Sequence, residues 1–573
     1  MSLFNGRLFA IVGVSSLPVL LFWFYTSAAM RSSTMYALFS ATAAQAYCPP
    51  PGPLLPPPTI FSNSSKFSIS DSVFENLPWA SDTSYAIKAS IGHTTVFEHE
   101  YSAPGREVGQ SLLETQLRVG SVTKTFTMLA ILLSADQIKL SDPITKFIPE
   151  LDEVAYGDVT IAALASHTSG MGRYIYTGDL AIVPGFKPAT LGLPSINGTG
   201  DKVSTCDPFP GGRVCTREEV VAGLNNPAYH PRSPDSGPLY SNIGYNLLGM
   251  ALEAAHNKTS EQVIHDLIVK PLGMSKTSFS VPTNSSTALL PRTSADAGWF
   301  VPDLGNYNPS GGLWSTANDL LTFLQSILSH KLLNKPETRR WLQPRALLPS
   351  LNQAVGESWE ILRPADLDVK TQRPIDIFTK TGGVTGYAAY TAIIREYGIA
   401  LTINVAGAHA NEAISALFPL LMKPLVAYAD NLARKQAAVE YEGTYEATVG
   451  NMTNSMTLVV DDGPGIAVVN LTMNGVPVLQ SLAAVQKIPF ESFSARLYPT
   501  DPDSLGTEKE AWRILIDNKD RQRGFAELQC ASWNWGDPFR YVTEPLDTIV
   551  FTKGADGIVS AELLGWRKQL SKT

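Results

Sequence analysis

Apolar and polar positions alternate between Tyr85 and Tyr101, with Ile87, Ala89, Ile91, Val96 and Phe97 as the apolar set, which predicts a strand pair opening a sheet. The period then changes. Over residues 122–138, Phe126, Met128, Leu129, Ile131, Leu132 and Leu133 fall on nearly all sides of a helix, the pattern of a helix buried in a large domain. Further helices are predicted at 217–224, 243–255, 260–269, 317–328 and 411–435, with a strand pair around Phe378 and 387–405. Strands frame the helices without regular strand–helix alternation, so the expected class is α+β, a mostly antiparallel sheet with a helical cluster. From about Tyr441 short strands separated by turns are predicted, at 458–460, 466–473, 476–482, 513–516, 540–543 and 548–552. This reads as a separate all-β domain.

The N-terminus carries an address. Residues 8–30 are uncharged and apolar between Arg7 and Arg31, long enough to span a bilayer. A second apolar stretch leads to Ala44-Gln45-Ala46, an A-x-A pattern suited to cleavage before Tyr47. Residues 1–46 are therefore expected to be a signal peptide or a signal anchor, giving a secreted or a membrane-anchored protein. Residues 47–80 form an N-terminal arm whose proline-rich part, 49–58, reads as an extended tether. Six N-x-[S/T] sequons, at Asn63, Asn197, Asn257, Asn284, Asn451 and Asn470, fit a glycosylated secretory product. Cys206 and Cys215 flank a short Pro- and Gly-containing loop and are expected to pair, leaving Cys48 with Cys530, although four cysteines allow three connectivities.

Composition narrows the partners. The chain is 44% hydrophobic with a net charge of −8 and no polybasic cluster, which argues against nucleic acid or an anionic membrane surface as the main partner. Membrane contact is expected only through a retained N-terminal segment. There is no H-E-x-x-H, C-x-x-C, G-x-S-x-G or G-x-x-x-x-G-K-[S/T] pattern, so no metal or other cofactor is expected.

Three unique motifs carry chemistry. Ser121-Val122-Thr123-Lys124 is the sole S-x-x-K, at the start of the buried helix, where residues three apart share a face. A serine hydroxyl needs a neighbouring base, and a desolvated Lys124 amine supplies one. Tyr240-Ser241-Asn242 is the sole Y-x-N, in a turn before a helix; near cations its phenol ionises and shares the proton, while the Asn242 amide donates to substrate or to Lys124. Lys380-Thr381-Gly382-Gly383 is the sole K-T-G, at a strand end where glycines admit a ligand close to the backbone. Lys380 supplies positive charge to lower the pKa of Tyr240 and Lys124 and to hold a substrate carboxylate. The backbone N–H groups of Ser121 and Gly383 suit an oxyanion.

In this order the motifs resemble those of the serine β-lactamase-related family, which includes class C β-lactamases, penicillin-binding peptidases and esterases. Ser166-His167-Thr168-Ser169-Gly170, Pro271-Leu272-Gly273-Met274 and Gly311-Gly312-Leu313-Trp314-Ser315-Thr316 are similar to accessory stretches of that family. The resemblance implies a β-lactamase/transpeptidase-like fold over 81–435, with Ser121, Lys124, Tyr240 and Lys380 catalytic and Asn242, Thr381, Gly382 and Gly383 lining the substrate and oxyanion sites. It assigns His167 to a turn beside the site. Ser121 and Tyr240 stand 119 residues apart, a long gap whose extra length falls in 174–232 and is expected to form a lid or pocket wall. Residues 436–573 resemble the β domain of secreted fungal β-lactamase-like proteins. The implied activity is a serine hydrolase acting through an acyl-enzyme on an ester, amide or lactam carbonyl of a small molecule. Alternatives are an acyltransferase or thioesterase of secondary metabolism, and a non-catalytic secreted binding protein.

Overall fold

The computed structural model describes residues 48–573 apart from 105–109, 178, 184, 196–203, 205, 207–212, 283–287, 290–302, 369, 372 and 521–531. The expected signal segment, Asn197, Asn284 and Cys530 lie outside the described residues. Among the described residues eight strands form an antiparallel sheet: β1 (Thr83–Ile91), β2 (Thr94–Tyr101), β3 (Ala346–Leu347), β4 (Gln353–Val355), β5 (Glu360–Leu362), β6 (Ile377–Val384), β7 (Tyr387–Ile394) and β8 (Ile399–Gly407). Their spatial order is β2-β1-β8-β7-β6-β5-β4-β3. The chain thus returns after some 300 residues to pair β8 with β1, from Thr83↔Gly407 to Ile91↔Ile399. The expected class, α+β with an antiparallel sheet, is the one observed.

The period-2 alternation of the strands divides the core. Phe378, Ala389, Ile393 and Ala400 face a cluster containing α1 (Thr123–Leu133), α2 (Arg217–Leu224), α3 (Ile243–His256) and α4 (Ala317–Leu328). Their neighbours Ile377, Ala388, Ala392, Ile399 and Leu401 face α5 (Ala410–Tyr441) on the other side. α4 packs on one side of the sheet and α5 on the other, with α1 and α3 packed together in the helical cluster on the α4 side, giving a helical layer on each face. α1 ends at Leu133, short of the expected 138, because the cap Ser134 turns back to bond Ala130 O and Ile131 O. The expected helix over 260–269 forms as a helical turn at Ser260–Ile264 followed by a π-turn at His265–Val269. The expected strand over 387–405 is two strands, divided where Gly398 adopts φ +64°.

α5 runs on through residue 435 into the β domain. By length and composition it could cross a membrane, but its apolar residues are spent on packing: Leu417, Leu421 and Leu425 against the sheet, Ala433, Ala437 and Tyr441 against the β domain. That domain is a closed antiparallel barrel of β9 (Gly443–Val449), β10 (Met452–Val459), β11 (Ile466–Met473), β12 (Phe493–Pro499), β13 (Lys509–Asn518), β14 (Thr548–Gly554), β15 (Gly557–Leu563) and β16 (Lys568–Lys572). The order is β10-β9-β16-β15-β14-β13-β12-β11, and β11 pairs back with β10. Tyr445, Leu458, Trp512 and Phe551 fill the interior, and the Tyr441 hydroxyl donates to the buried Glu510.

Several expectations are corrected here. Of 476–482 only Val476–Pro477 is strand, paired with the end of β11; α6 (Val478–Gln486) occupies the rest, because Val478/Leu482 and Leu479/Ala483 repeat at i, i+4 and bury one helical face. Of 540–543 only Arg540–Tyr541 pairs, since Val542 and Thr543 take φ +46° and +73°. The N-terminal arm is a packed strap: Leu54 and Leu55 are buried, and Leu55 joins the barrel core. An extended chain makes no internal hydrogen bonds, so Gln436 of α5 takes both backbone groups of Thr59, its N–H at 2.9 Å, and Tyr428 donates to Ser65 O. Cys206 and Cys215 form the expected disulfide, and Cys48 is also disulfide-bonded. Asn63, Asn257 and Asn451 are exposed, whereas Asn470 is half-buried and donates to Ser455 Oγ at 2.9 Å.

Candidate active site

Ser121 lies in the 3₁₀ turn Gly120–Val122 that leads into α1. Two glycines let this turn meet β6 backbone to backbone. Gly120 has φ +50°, and a Cβ on it would come within 2.7 Å of Gly383 N. A Cβ on Gly382 would come within 1.9 Å of Val119 O and 2.8 Å of Ser121 N. Only glycine fits either position, and the contact brings the Ser121 and Gly383 backbones onto one wall.

Lys124, one turn along, is fully buried. Its ammonium donates to Ser121 Oγ at 3.0 Å, to Asn242 Oδ1 at 2.7 Å and to Ser310 O at 2.6 Å. Asn242 thus meets Lys124 through its oxygen as an acceptor, not through the amide donor expected. Burial, reinforced by Lys380 and opposed by Tyr240, brings the Lys124 pKa down to about 8. The Ser310 carbonyl, just ahead of the G-G-L-x-S-T stretch, is an anchor that the sequence reading did not assign.

The Tyr240 turn is fastened from behind. Ser241 N donates to His167 Nδ1 at 3.1 Å, Ser241 Oγ donates to Gly172 O at 2.8 Å, and Asn242 N donates to Arg173 O at 3.0 Å. His167 is held neutral, with its pKa well below the ordinary value, by burial and then by Lys124 and Lys380; it serves as an acceptor and packs its ring 4.5 Å from that of Tyr240. This agrees with a place in a turn beside the site.

Among the described residues three cations lie against the Tyr240 ring: Lys124 Nζ at 5.2 Å from its centre, Lys380 Nζ at 5.3 Å and Arg173 Cζ at 5.2 Å. Burial alone would push the phenol up, but Lys124, then Lys380, and a hydrogen bond with Ser121 bring it down to about 8. The four residues Ser121, Lys124, Tyr240 and Lys380 therefore come together around one hydroxyl.

Lys380 carries a partner that the motifs did not reveal. Its ammonium is paired with Glu360 Oε1 and also donates to Thr381 O at 2.8 Å. Glu360 Oε2 accepts from Thr381 N at 2.9 Å and Thr381 Oγ1 at 2.8 Å. Burial opposes both charges, yet each keeps the other ionised: the Lys380 pKa is raised and that of Glu360 lowered. Glu360 reaches the site because β5 pairs with β6 in the register Glu360↔Thr379. Among the described residues no group of three His, Cys, Asp or Glu side chains is placed to hold a metal ion.

A family model described as Beta-lactamase matches residues 94–420, and a second, described as Beta-lactamase-like-like, C-terminal domain, matches 433–573. The chain is 30% identical over 585 residues to a beta-lactamase-like protein of Arthroderma benhamiae, covering 92% of this chain and 96% of that one. It is 28% identical over 343 residues to the D-alanyl-D-alanine-carboxypeptidase/endopeptidase AmpH of Escherichia coli K12, covering 56% of this chain and 79% of AmpH. A solved β-lactamase/D-alanine carboxypeptidase from Yersinia pestis aligns at 20% identity and TM-score 0.45, over 63% of this chain and 95% of that one. One match runs from β2 into α5 and the other takes up the end of α5 and the whole barrel, so the chain belongs to the β-lactamase family and carries that family's C-terminal β-lactamase-like domain.

Proposed function

We propose that the chain is a serine hydrolase that opens an ester, amide or lactam carbonyl through an acyl-enzyme on Ser121. Ser121 Oγ attacks the carbonyl carbon while its proton passes to the Lys124/Tyr240 pair. The carbonyl electron pair moves onto oxygen, which the backbone N–H groups of Ser121 and Gly383 stabilise. Collapse of that intermediate breaks the bond to the leaving group, which takes the proton from Tyr240. Water then loses a proton to the same pair and attacks the acyl carbon; the bond from that carbon to Ser121 Oγ breaks, Oγ takes the proton back from the pair, and the acid leaves.

The observation that carries this reading is the Tyr240 phenol, hydrogen-bonded to Ser121 and flanked by two buried lysines that bring its pKa to about 8. A group with that pKa exchanges protons readily near neutral pH. The names of relatives such as AmpH, a carboxypeptidase/endopeptidase, support hydrolysis in general. We also propose a secreted protein, a reading supported by the Cys206–Cys215 disulfide. The test of the mechanism is intact-mass analysis after exposure to a panel of activated esters, amides and lactams. An acyl adduct on Ser121 that is missing from Ser121→Ala is expected; wild-type turnover by Ser121→Ala would refute it.

A further inference from the structure

Resting on the hydrolase reading above, we infer that Arg173, not Lys380, is the cation that receives a free carboxylate on the substrate, so that the enzyme selects esters or amides bearing one. The donors expected to bind such a group are already engaged by the protein's own carboxylate: Glu360 takes the Lys380 ammonium with one oxygen and both Thr381 donors with the other. A substrate carboxylate at that place would have to displace Glu360 and would face its charge. Of the three cations around Tyr240, Lys124 is satisfied by Ser121, Asn242 and Ser310, and Lys380 by Glu360 and Thr381. Arg173 is exposed, and among the described residues its guanidinium meets no carboxylate.

Its position is nevertheless fixed. The Arg173 carbonyl accepts from Asn242 N at 3.0 Å and Ile243 N at 3.3 Å, which ties its backbone to the Y-x-N turn. The guanidinium rests against the Tyr240 ring at 5.2 Å and that of Tyr174 at 5.7 Å. A planar fork held by two aromatic rings beside the proton-transfer group suits bidentate capture of a carboxylate.

The experiment compares two p-nitrophenyl esters of equal length, a glutarate monoester and its methyl-capped diester. Arg173→Leu is expected to lower the ratio of kcat/KM between the charged and the capped ester by about 10- to 100-fold, chiefly through KM, the range of a charge-assisted hydrogen bond. Arg173→Lys is expected to restore part of it. An unchanged ratio overturns the inference, as does an equal loss on both esters with a displaced pH profile, which would mean that Arg173 acts through Tyr240. If wild-type protein turns over neither ester, the hydrolase reading is decided by the Ser121 adduct panel described above. The Arg173 site is then judged by calorimetric binding of glutarate monoamide to Ser121→Ala: at least tenfold weaker binding in Ser121→Ala/Arg173→Leu supports it, and equal binding overturns it.

Discussion

Lys380→Met removes a full positive charge 5.3 Å from the centre of the Tyr240 ring. At an effective dielectric constant of about 20, such a charge stabilises a phenolate at that distance by about 3 kcal/mol, roughly a hundredfold in its proton equilibrium. Lys124 is affected in the same direction, because Lys380 disfavours its protonated form. Glu360, deprived of its cation, either adds its negative field or takes up a proton, and the second outcome trims the effect. The sign follows from the chemistry: attack by Ser121 requires that the Lys124/Tyr240 pair has given up one proton. Both groups hold that proton more tightly once Lys380 is gone, so the rising limb of kcat/KM is expected to move from about pH 8 to about pH 9–10. Activity at pH 7 then falls by about 10- to 100-fold while activity at high pH stays closer to wild type. Glu360→Gln removes the opposing charge, which raises both pKa values, and is expected to move the limb to lower pH. The assay is kcat/KM for an activated ester between pH 6 and 10, corrected for spontaneous hydrolysis, with circular dichroism to establish that each variant is folded. A limb that stays near pH 8 in Lys380→Met, or moves down, would refute the reasoning.

Gly382→Ala places a Cβ within 1.9 Å of Val119 O, a backbone atom that cannot swing aside. The turn and β6 are expected to part, with turnover falling by at least about 100-fold and stability by about 1–3 kcal/mol in urea unfolding. At Gly383 the nearest atom to an added Cβ is the side-chain oxygen of Asn411 at 3.3 Å, so Gly383→Ala is expected to leave stability much closer to wild type. Replacing Cys206 and Cys215 by serine opens a crosslink of sequence separation 9. The expected loss is about 2–3 kcal/mol, read from the midpoint of the same unfolding curve.

What was legible in the sequence follows from what each element owes to its own residues. β1 with β2, α1 and α4 carry their burial pattern within one stretch of chain; the strand pair and α4 stand nearly where the sequence places them, and α1 starts there but ends five residues early. The barrel was recognised only in part. β16, Lys-Gln-Leu-Ser-Lys, has a single apolar residue and exists because β15 and β9 pair with it on its two sides. β12 does alternate, with Phe493, Ala495 and Leu497 as its apolar set, but its polar face is buried as well, and Arg496 is compatible with that burial because Asp461 pairs with it. Such support comes from residues distant in sequence, and no local period reveals it.

The same distinction runs through the site. Ser121/Lys124, Tyr240/Asn242 and Lys380–Gly383 were visible because each group of residues acts as neighbours along the chain. Glu360 becomes part of the site only through the β5–β6 register, and Arg173 only because its carbonyl caps the Y-x-N turn. These two residues change what the motifs imply. Motifs alone present Lys380 and Thr381 as open donors for an anion; with Glu360 in place they are a closed ion pair whose field on Tyr240 is reduced by an adjacent negative charge. The proton chemistry then rests chiefly on Lys124, the cation that lowers the phenol's pKa most, while anion recognition passes to the exposed guanidinium on the same ring. The Arg173 guanidinium lies as near the Tyr240 ring as Lys380 does, so a carboxylate bound to it raises the phenol's pKa in the complex. The limb of kcat is therefore expected at higher pH for the charged ester than for the capped one, and the same for both in Arg173→Leu, while the limb of kcat/KM, which reports the free enzyme, stays common to both.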